Sequence, residues 1–337
     1  MTSDIISSLN SNKTLSTQEA FDLQSSILKG EASTERLVEI FTALQGRTIT
    51  AQELNGFFRA SAEAMTPFAT KTETLDICGT GGDGSGSFNI STVSALVCSA
   101  GSVPVAKHGN RAASSKCGSA DVLEALGVKI ELSPEQAKIF LEECRFVFLF
   151  ARSYHPAFKH AGEARKLFGK KTYFNLLGPL LNPAKAPYRV HGLADFSFAE
   201  TLGDALVHSG VQKTWLVHAE DGLDEVSPFS VTHVRAFEKG KPKQSFTIDP
   251  KKFNLAIADR NSLAGGDTKQ NAEILSAILK GKGTREQNSA VILNSAAGFT
   301  VYGTVKTFGE GVQRATDILA SGKGYEKLQE VIKASNS

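Results

Sequence analysis

The sequence predicts an α/β protein, with a small all-helical N-terminal domain and a larger α/β domain built on a mainly parallel central sheet. Three observations carry this. Up to about Met65 the apolar residues recur only with helical spacing. From Leu75 onward, short β-type runs alternate with helical stretches. A glycine-dense segment joins the first of those runs to the next helix. A chain of 337 residues exceeds one compact core, so the division is expected near residue 68. Residues 1–68, joined by part of 158–186, form the helical domain, and residues 69–337 the α/β domain.

In the N-terminal part, Leu37, Ile40, Phe41 and Leu44 follow the i, i+3, i+4, i+7 pattern of a one-faced helix. Ser33 is placed to cap it and Gly46 to stop it. Thr50 and Glu53 have capping-box spacing, and Leu54, Phe57 and Phe58 supply the apolar stripe behind them. Beyond Pro67, strands are expected at Leu75 to Cys78, Val103 to Ala106, Val128 to Leu132, Phe146 to Phe150, Val190 to Leu193 and Thr214 to Val217. Helices are expected at Val93 to Ala100, Pro134 to Glu143 and Phe198 to His208. The segment GPLLNPAKAP, with Pro179, Pro183 and Pro187, reads as a second break where the chain crosses between domains.

Composition narrows the function classes. Hydrophobic content of 41% and charged content of 21% are ordinary for a globular protein. A net charge of +2 with no long like-charge run argues against a bulk-charge nucleic-acid surface. The four cysteines are scattered and form no C-x-x-C pair, which suits a reducing compartment. The N-terminus lacks a signal-peptide core and no stretch is long enough to span a bilayer, so a cytoplasmic protein is the default expectation.

The richest segment is DICGTGGDGSGSFNIST, Asp76 to Thr92, where five glycines fall within eight residues after Cys78. Glycines let successive N–H groups turn toward one anion, and a helix start beyond adds free donors. Gly79, Gly81 and Gly84 satisfy G-x-G-x-x-G, yet the helix begins only after Asn89 and the next strand ends in Lys107-His108 rather than an acid. A dinucleotide fold therefore fails on context, and no Walker sequence is present. A plain flexible loop is the bland alternative; the density of glycine between strand and helix favours an anion cradle.

A second segment, KHGNRAASSKCGSADVLEALG from Lys107 to Gly127, brings Lys107, Arg111 and Lys116 to the C-terminal edge of the sheet. Alone it reads equally well as a solvated basic loop; beside the glycine loop it favours a diphosphate site. In DGLDEVS, Asp224 and Glu225 follow the strand TWLVHA. Adjacent carboxylates are often only a polar turn, but a diphosphate needs a cation, and Mg²⁺ takes oxygen ligands.

Together these segments resemble the anthranilate phosphoribosyltransferases, of the nucleoside phosphorylase-like class, over nearly the whole chain from Ser16 onward. The most specific are GTGGD, NIST and the Lys107–Gly127 stretch, followed in order by HPAFKHAGEAR, FNLLGPLLNP and GLDEVS. The resemblance implies transfer of the phosphoribosyl group from phosphoribosyl diphosphate to the amine of anthranilate, in a cleft between the two domains of a homodimer. It puts phosphoribosyl diphosphate on Gly79, Gly82, Asp83, Ser87, Asn89, Ile90, Ser91, Thr92, Lys107, His108, Gly109, Asn110, Arg111, Ala112, Ala113, Ser114, Ser115 and Ser119. Mg²⁺ would use Ser91, Asp224 and Glu225. Anthranilate would meet Gly79, Asn110 and Arg165, with His108, Tyr154, His155 and Gly178 along its approach path.

Anthranilate's amine is neutral at pH 7, so no side chain is assigned as an essential acid or base, and positioning is expected to dominate. His108 and His155 read as aromatic walls rather than proton carriers. The sequence departs from the family pattern at Arg152, where proline is usual, and at Phe158, where methionine is common. It departs also in a short DEVSPFSVTHV segment and in NSAAGFTVYG, Asn294 to Gly303. Two rivals remain: a pyrimidine nucleoside phosphorylase, whose GRGLGHTGGT segment is missing, and a silent nucleic-acid-binding relative, which the intact acidic pair and small charge oppose.

Overall fold

The computed structural model describes residues 6, 8, 9, 11, 13–45, 47–112 and 116–337. In the N-terminal part, the helices α1 (Thr17–Leu28), α2 (Thr34–Leu44) and α3 (Ala51–Glu63) are capped by Ser16, Ser33 and Thr50. Each cap side chain accepts the N–H three residues on, worth about 1 kcal/mol apiece. The expected caps at Ser33 and Thr50 are thus in place; Gly46, expected to stop α2, lies outside the described residues. Leu37, Ile40, Phe41, Leu44, Leu54 and Phe57 are buried, whereas Phe58 is only half-buried at the edge of the stripe.

Among the described residues the sheet has seven strands, in the order β3-β2-β1-β4-β5-β6-β7. They are β1 (Leu75–Gly79), β2 (Val105–Gly109), β3 (Phe146–Phe150), β4 (Tyr188–Gly192), β5 (Lys213–Ala219), β6 (Thr232–Glu238) and β7 (Gln244–Ile248). The first five are mutually parallel, and β5-β6-β7 pair antiparallel. Between them run α4 (Ile90–Ala100), α5 (Ser119–Ala125), α6 (Pro134–Cys144), α7 (Gly162–Phe168) and α8 (Ala199–His208). The chain closes with α9 (Thr268–Leu279), α10 (Arg285–Tyr302), α11 (Phe308–Ala320) and α12 (Lys323–Ser335). The α/β class and the all-helical N-terminal part are both borne out. Among the described residues no helix is long and apolar enough to cross a membrane.

One expected strand is absent. Val128 to Leu132 alternates buried and exposed residues as a strand would, but pairs with no strand among the described residues. Its Lys129 N–H goes instead to the Ser335 hydroxyl, at the end of α12, at 3.1 Å. Alternation reports a half-buried extended segment, and only a partner strand makes it a sheet element. The expected start at Val103 also shifts to Val105, because Pro104 has no N–H to give and contributes only its carbonyl, to Leu75. The antiparallel pair β6-β7 was not foreseen.

Among the described residues two hydrophobic clusters result. The larger fills the space between the sheet and α4, α5, α6 and α9 to α12. The other gathers the N-terminal helices, residues 161–181, α8 and one sheet face through Leu193, Leu216 and Phe237. Phe57 stacks on Tyr173 with centroids 4.2 Å apart. The Tyr173 hydroxyl donates to Gln24 at 2.6 Å, and Gln24 donates to Ser61 at 2.9 Å. A buried polar relay thus welds the segment after α7 to α1 and α3.

Candidate active site

β1 delivers its C-terminal edge into the glycine loop, and α4 begins at Ile90, as the sequence required. Gly81, Gly82, Gly84 and Gly86 all have φ between +64 and +74°, a region that L side chains rarely adopt. The loop is pinned from three sides. Lys171 donates to the Gly82 carbonyl at 2.8 Å, Gly265 N–H to the Gly86 carbonyl at 2.8 Å, and Phe88 N–H to the Leu263 carbonyl at 3.0 Å. Ser87 forms a lone bridge with Ala264 and an N–H bond to Ser85.

The acidic turn after β5 folds back against this loop. An Asp224 carboxylate oxygen accepts the Gly81 N–H at 2.7 Å, and the Asp224 N–H goes to Asp83 at 3.3 Å. A side chain at Gly79 would place its Cβ 2.4 Å from that same oxygen, and one at Gly192 would lie 1.5 Å from the Asp224 carbonyl oxygen. Gly192, the last residue of β4, was missed in the sequence reading; only its place one strand over from Gly79 could have signalled it.

Asp224 and Glu225 are both buried. Burial, then Glu225 and Asp83 nearby, push the Asp224 carboxyl well above its ordinary range. Burial also raises Glu225, opposed by Lys107 and by the Ser91 N–H. Two desolvated carboxylates with a third close by have unmet demand for positive charge, and all are oxygen donors of the kind Mg²⁺ prefers. Ser91 lies at the same place, its hydroxyl 3.1 Å from the Lys107 ammonium.

The basic segment behaves differently from expectation. Lys107 is buried, and its ammonium donates inward to the Ile77 carbonyl at 2.6 Å and to Ser91, beneath the loop rather than out over it. Arg111 is paired with Glu124 at 2.8 Å and lies over Phe150. Asp121, not singled out from the sequence, organises this turn by accepting the N–H groups of Ala112 and Gly118, each at 2.8 Å. Ser119 donates to the Asn110 carbonyl at 3.4 Å, close beside Gly109. Ala113, Ser114 and Ser115 lie outside the described residues. Asn89 spends its side chain on the Cys117 carbonyl and Asn271, leaving α4 without a side-chain cap, while Ile90 is buried and the Thr92 hydroxyl has no partner among the described residues.

Beside the loop a cavity of about 780 Å³ opens, lined among others by Gly79, His108, Asn110, His155, Phe158, Arg165, Phe174 and Gly178. Arg165 is half-buried on α7, its guanidinium 5.2 Å from the Phe174 ring centroid, with no carboxylate paired to it among the described residues. Burial lowers its pKa, although Tyr173 opposes the shift. His108 and His155 meet edge-on at 5.1 Å. Burial drives His108 down to about 4 and His155, next to it, to about 3, so both rings are neutral walls at pH 7. Tyr154, expected along the approach path, instead turns into the core against Phe68, because the short helical turn Ala151–Tyr154 puts it on the face opposite the cavity.

Under both loops lies a buried charge, Asp76, that the sequence reading passed over. Its carboxylate accepts from Asn182 at 2.8 Å and from the His108 N–H at 3.4 Å, and faces His191 at 3.9 Å. Burial pushes this carboxyl up, but His191, Lys107 and Asn182 together outweigh it and hold it at about 2.

Residues 71–325 match the family model described as the glycosyl transferase family, a/b domain. The anthranilate phosphoribosyltransferase of Herpetosiphon aurantiacus is 39% identical over 99% of this chain and 98% of its own length. That of Methanobrevibacter smithii is 41% identical, with the same coverage. The crystal structure of anthranilate phosphoribosyltransferase from Thermus thermophilus superposes with a TM-score of 0.90 at 38% identity, covering 98% of this chain and 99% of the other. The enzyme from Saccharomyces cerevisiae, in complex with PRPP and Mg, also reaches 0.90, at 26% identity, covering 99% and 98%.

Proposed function

We propose, from the premise that this chain belongs to the anthranilate phosphoribosyltransferase family, that the cleft divides its labour between the glycine loop and the cavity beside Arg165. The enzyme transfers the 5-phosphoribosyl group of phosphoribosyl diphosphate to the amine of anthranilate, giving N-(5-phosphoribosyl)anthranilate and diphosphate in tryptophan biosynthesis. The amine lone pair forms the new C–N bond as the anomeric C–O bond to diphosphate breaks, and the amine then sheds one proton.

The observation that carries the division is the pairing of an N–H-rich loop with a separate cavity whose arginine lacks a counter-ion among the described residues. Gly79, Gly82, Asp83, Ser87 and Asn89 to Thr92 hold the diphosphate and ribose, helped by Lys107 to Ser115 and Ser119. The inward bonds of Lys107 make its part indirect: it steadies Ser91 and offsets Glu225. Ser91, Asp224 and Glu225 are suited to hold Mg²⁺, which when bound supplies charge stabilisation to the leaving diphosphate. Gly79 and Asn110 border the acceptor, and Arg165 grips its carboxylate through two parallel hydrogen bonds. The structure of the yeast enzyme with 4-fluoroanthranilate supports an aromatic acceptor site in this fold. Neutral His108 and His155 support positioning, rather than proton transfer by a side chain, as the main catalytic contribution.

A helical domain of residues 1–68 with part of 158–186 belongs to the same proposal and is supported by the shared cluster of those residues; a homodimer joined through that domain completes it. A cytoplasmic setting belongs to the same proposal, since four scattered cysteines with no C-x-x-C pair suit a reducing compartment. The test is fluorescence: anthranilate emission should decay only when enzyme, phosphoribosyl diphosphate and Mg²⁺ are all present. Decay that ignores added Mg²⁺ after chelation would remove the metal assignment.

A further inference from the structure

The acceptor cavity carries more positive charge than anthranilate can answer. Among the described residues its charged lining is Arg152, Lys159 and Arg165, with no carboxylate facing them. His108 and His155 add no charge at neutral pH, since burial holds both imidazoles far below their usual range. Anthranilate brings one carboxylate, and half-buried Arg165 over Phe174 is placed to take it. Arg152 and Lys159 are exposed, and they sit on the segment that leads into α7. A volume of about 780 Å³ falls in the range of pockets that hold drug-sized ligands, more than one aminobenzoate fills.

Unanswered cations along a cavity with aromatic walls complement a second anionic group on the ring that occupies it. We propose that Arg152 and Lys159 form a subsite for a second carboxylate on the aromatic amine, so that the enzyme also accepts ring-carboxylated anthranilates. The proposal rests on the assignment of this cavity to the aromatic substrate. The bond changes are those of the parent reaction, and the extra carboxylate stays a spectator held at the outer end.

The experiment compares kcat/KM for anthranilate, 2-aminoterephthalate and the 4-methyl ester of the latter, which keeps the bulk and loses the second charge. Wild type, Arg152→Ala and Lys159→Ala are assayed at low and high salt. Wild type should favour the dicarboxylate over its ester by about three- to fivefold, as exposed ion pairs allow, and salt should erode the preference. Each substitution should shrink the preference while leaving anthranilate turnover near wild type. A preference unchanged in both variants, or none in wild type, overturns the subsite. A raised KM for phosphoribosyl diphosphate in Arg152→Ala also overturns it, by giving that cation to the other substrate. Wild type that fails to consume anthranilate itself removes the cavity assignment first, a separate outcome from loss of the dicarboxylate preference alone.

Discussion

The Asp224 carboxylate accepts the Gly81 N–H at 2.7 Å, and this bond ties the acidic turn to the glycine loop across the β1–β4 edge of the sheet. It is possible because Gly79 leaves the space that a Cβ would take beside the same oxygen. The proposed cation site and anion site are therefore one mechanical unit, and a change in either moves both.

That unit holds two desolvated carboxylates whose pKa values are raised, so ionising them opposes folding as pH rises through the window above about 4. The Asp224→Ala, Glu225→Ala double variant should keep or raise Tm while losing Mg²⁺-dependent turnover. Calorimetry and a Mg²⁺ titration of activity check both halves. A Tm lower by several degrees, or activity that still follows Mg²⁺, counts against the assignment.

Arg165→Ala should raise the KM for anthranilate and affect kcat less. Losing a charged partner of a buried group costs about 2–5 kcal/mol, and the half-exposure of Arg165 favours the low end, roughly thirtyfold in KM. Steady-state kinetics with each substrate varied in turn decides it. An unchanged KM for anthranilate would mean another group holds the carboxylate.

His108 and His155 stay neutral in the fold down to about 4 and 3, whereas unfolded histidines bind a proton near 6.5. The unfolded state therefore binds more protons between those values, and stability should fall as pH drops below 6.5. Replacing His155 with Phe should flatten that fall in Tm. The same reasoning predicts no break near pH 6.5 in kcat/KM for anthranilate arising from either ring; such a break, abolished by His155→Phe, contradicts it.

Asp76→Ala should cost about 3–5 kcal/mol, since it removes the buried carboxylate that offsets the buried Lys107 and Arg189 charges and accepts from Asn182. Urea denaturation measures this. A loss below about 1 kcal/mol would show that the surrounding cations do not need the carboxylate.

Much of this was legible in the sequence where one segment carries its own signal. The caps at Ser33 and Thr50, the strand Phe146 to Phe150 and the loop glycines state their geometry locally. What was missed depends on partners distant in the chain. The direction of Lys107 is set by Ile77 and Ser91, and the role of Gly192 by a turn that arrives after β5. Val128 to Leu132 has the alternation of a strand and, among the described residues, no strand to join. Tyr154 stands beside His155 in sequence, yet the turn of helix there sends the two rings to opposite sides.

The division of the cleft is tested most directly by calorimetric titration of phosphoribosyl diphosphate with Mg²⁺ into two variants. At Gly82, with φ of +74°, a valine is strained by about 1–2 kcal/mol and its Cβ meets the Lys171 side chain at 2.7 Å. Gly82→Val should lose most of its affinity for phosphoribosyl diphosphate, and Arg165→Ala should bind it as wild type does. Wild-type affinity in Gly82→Val, or lost affinity in Arg165→Ala, would contradict the account.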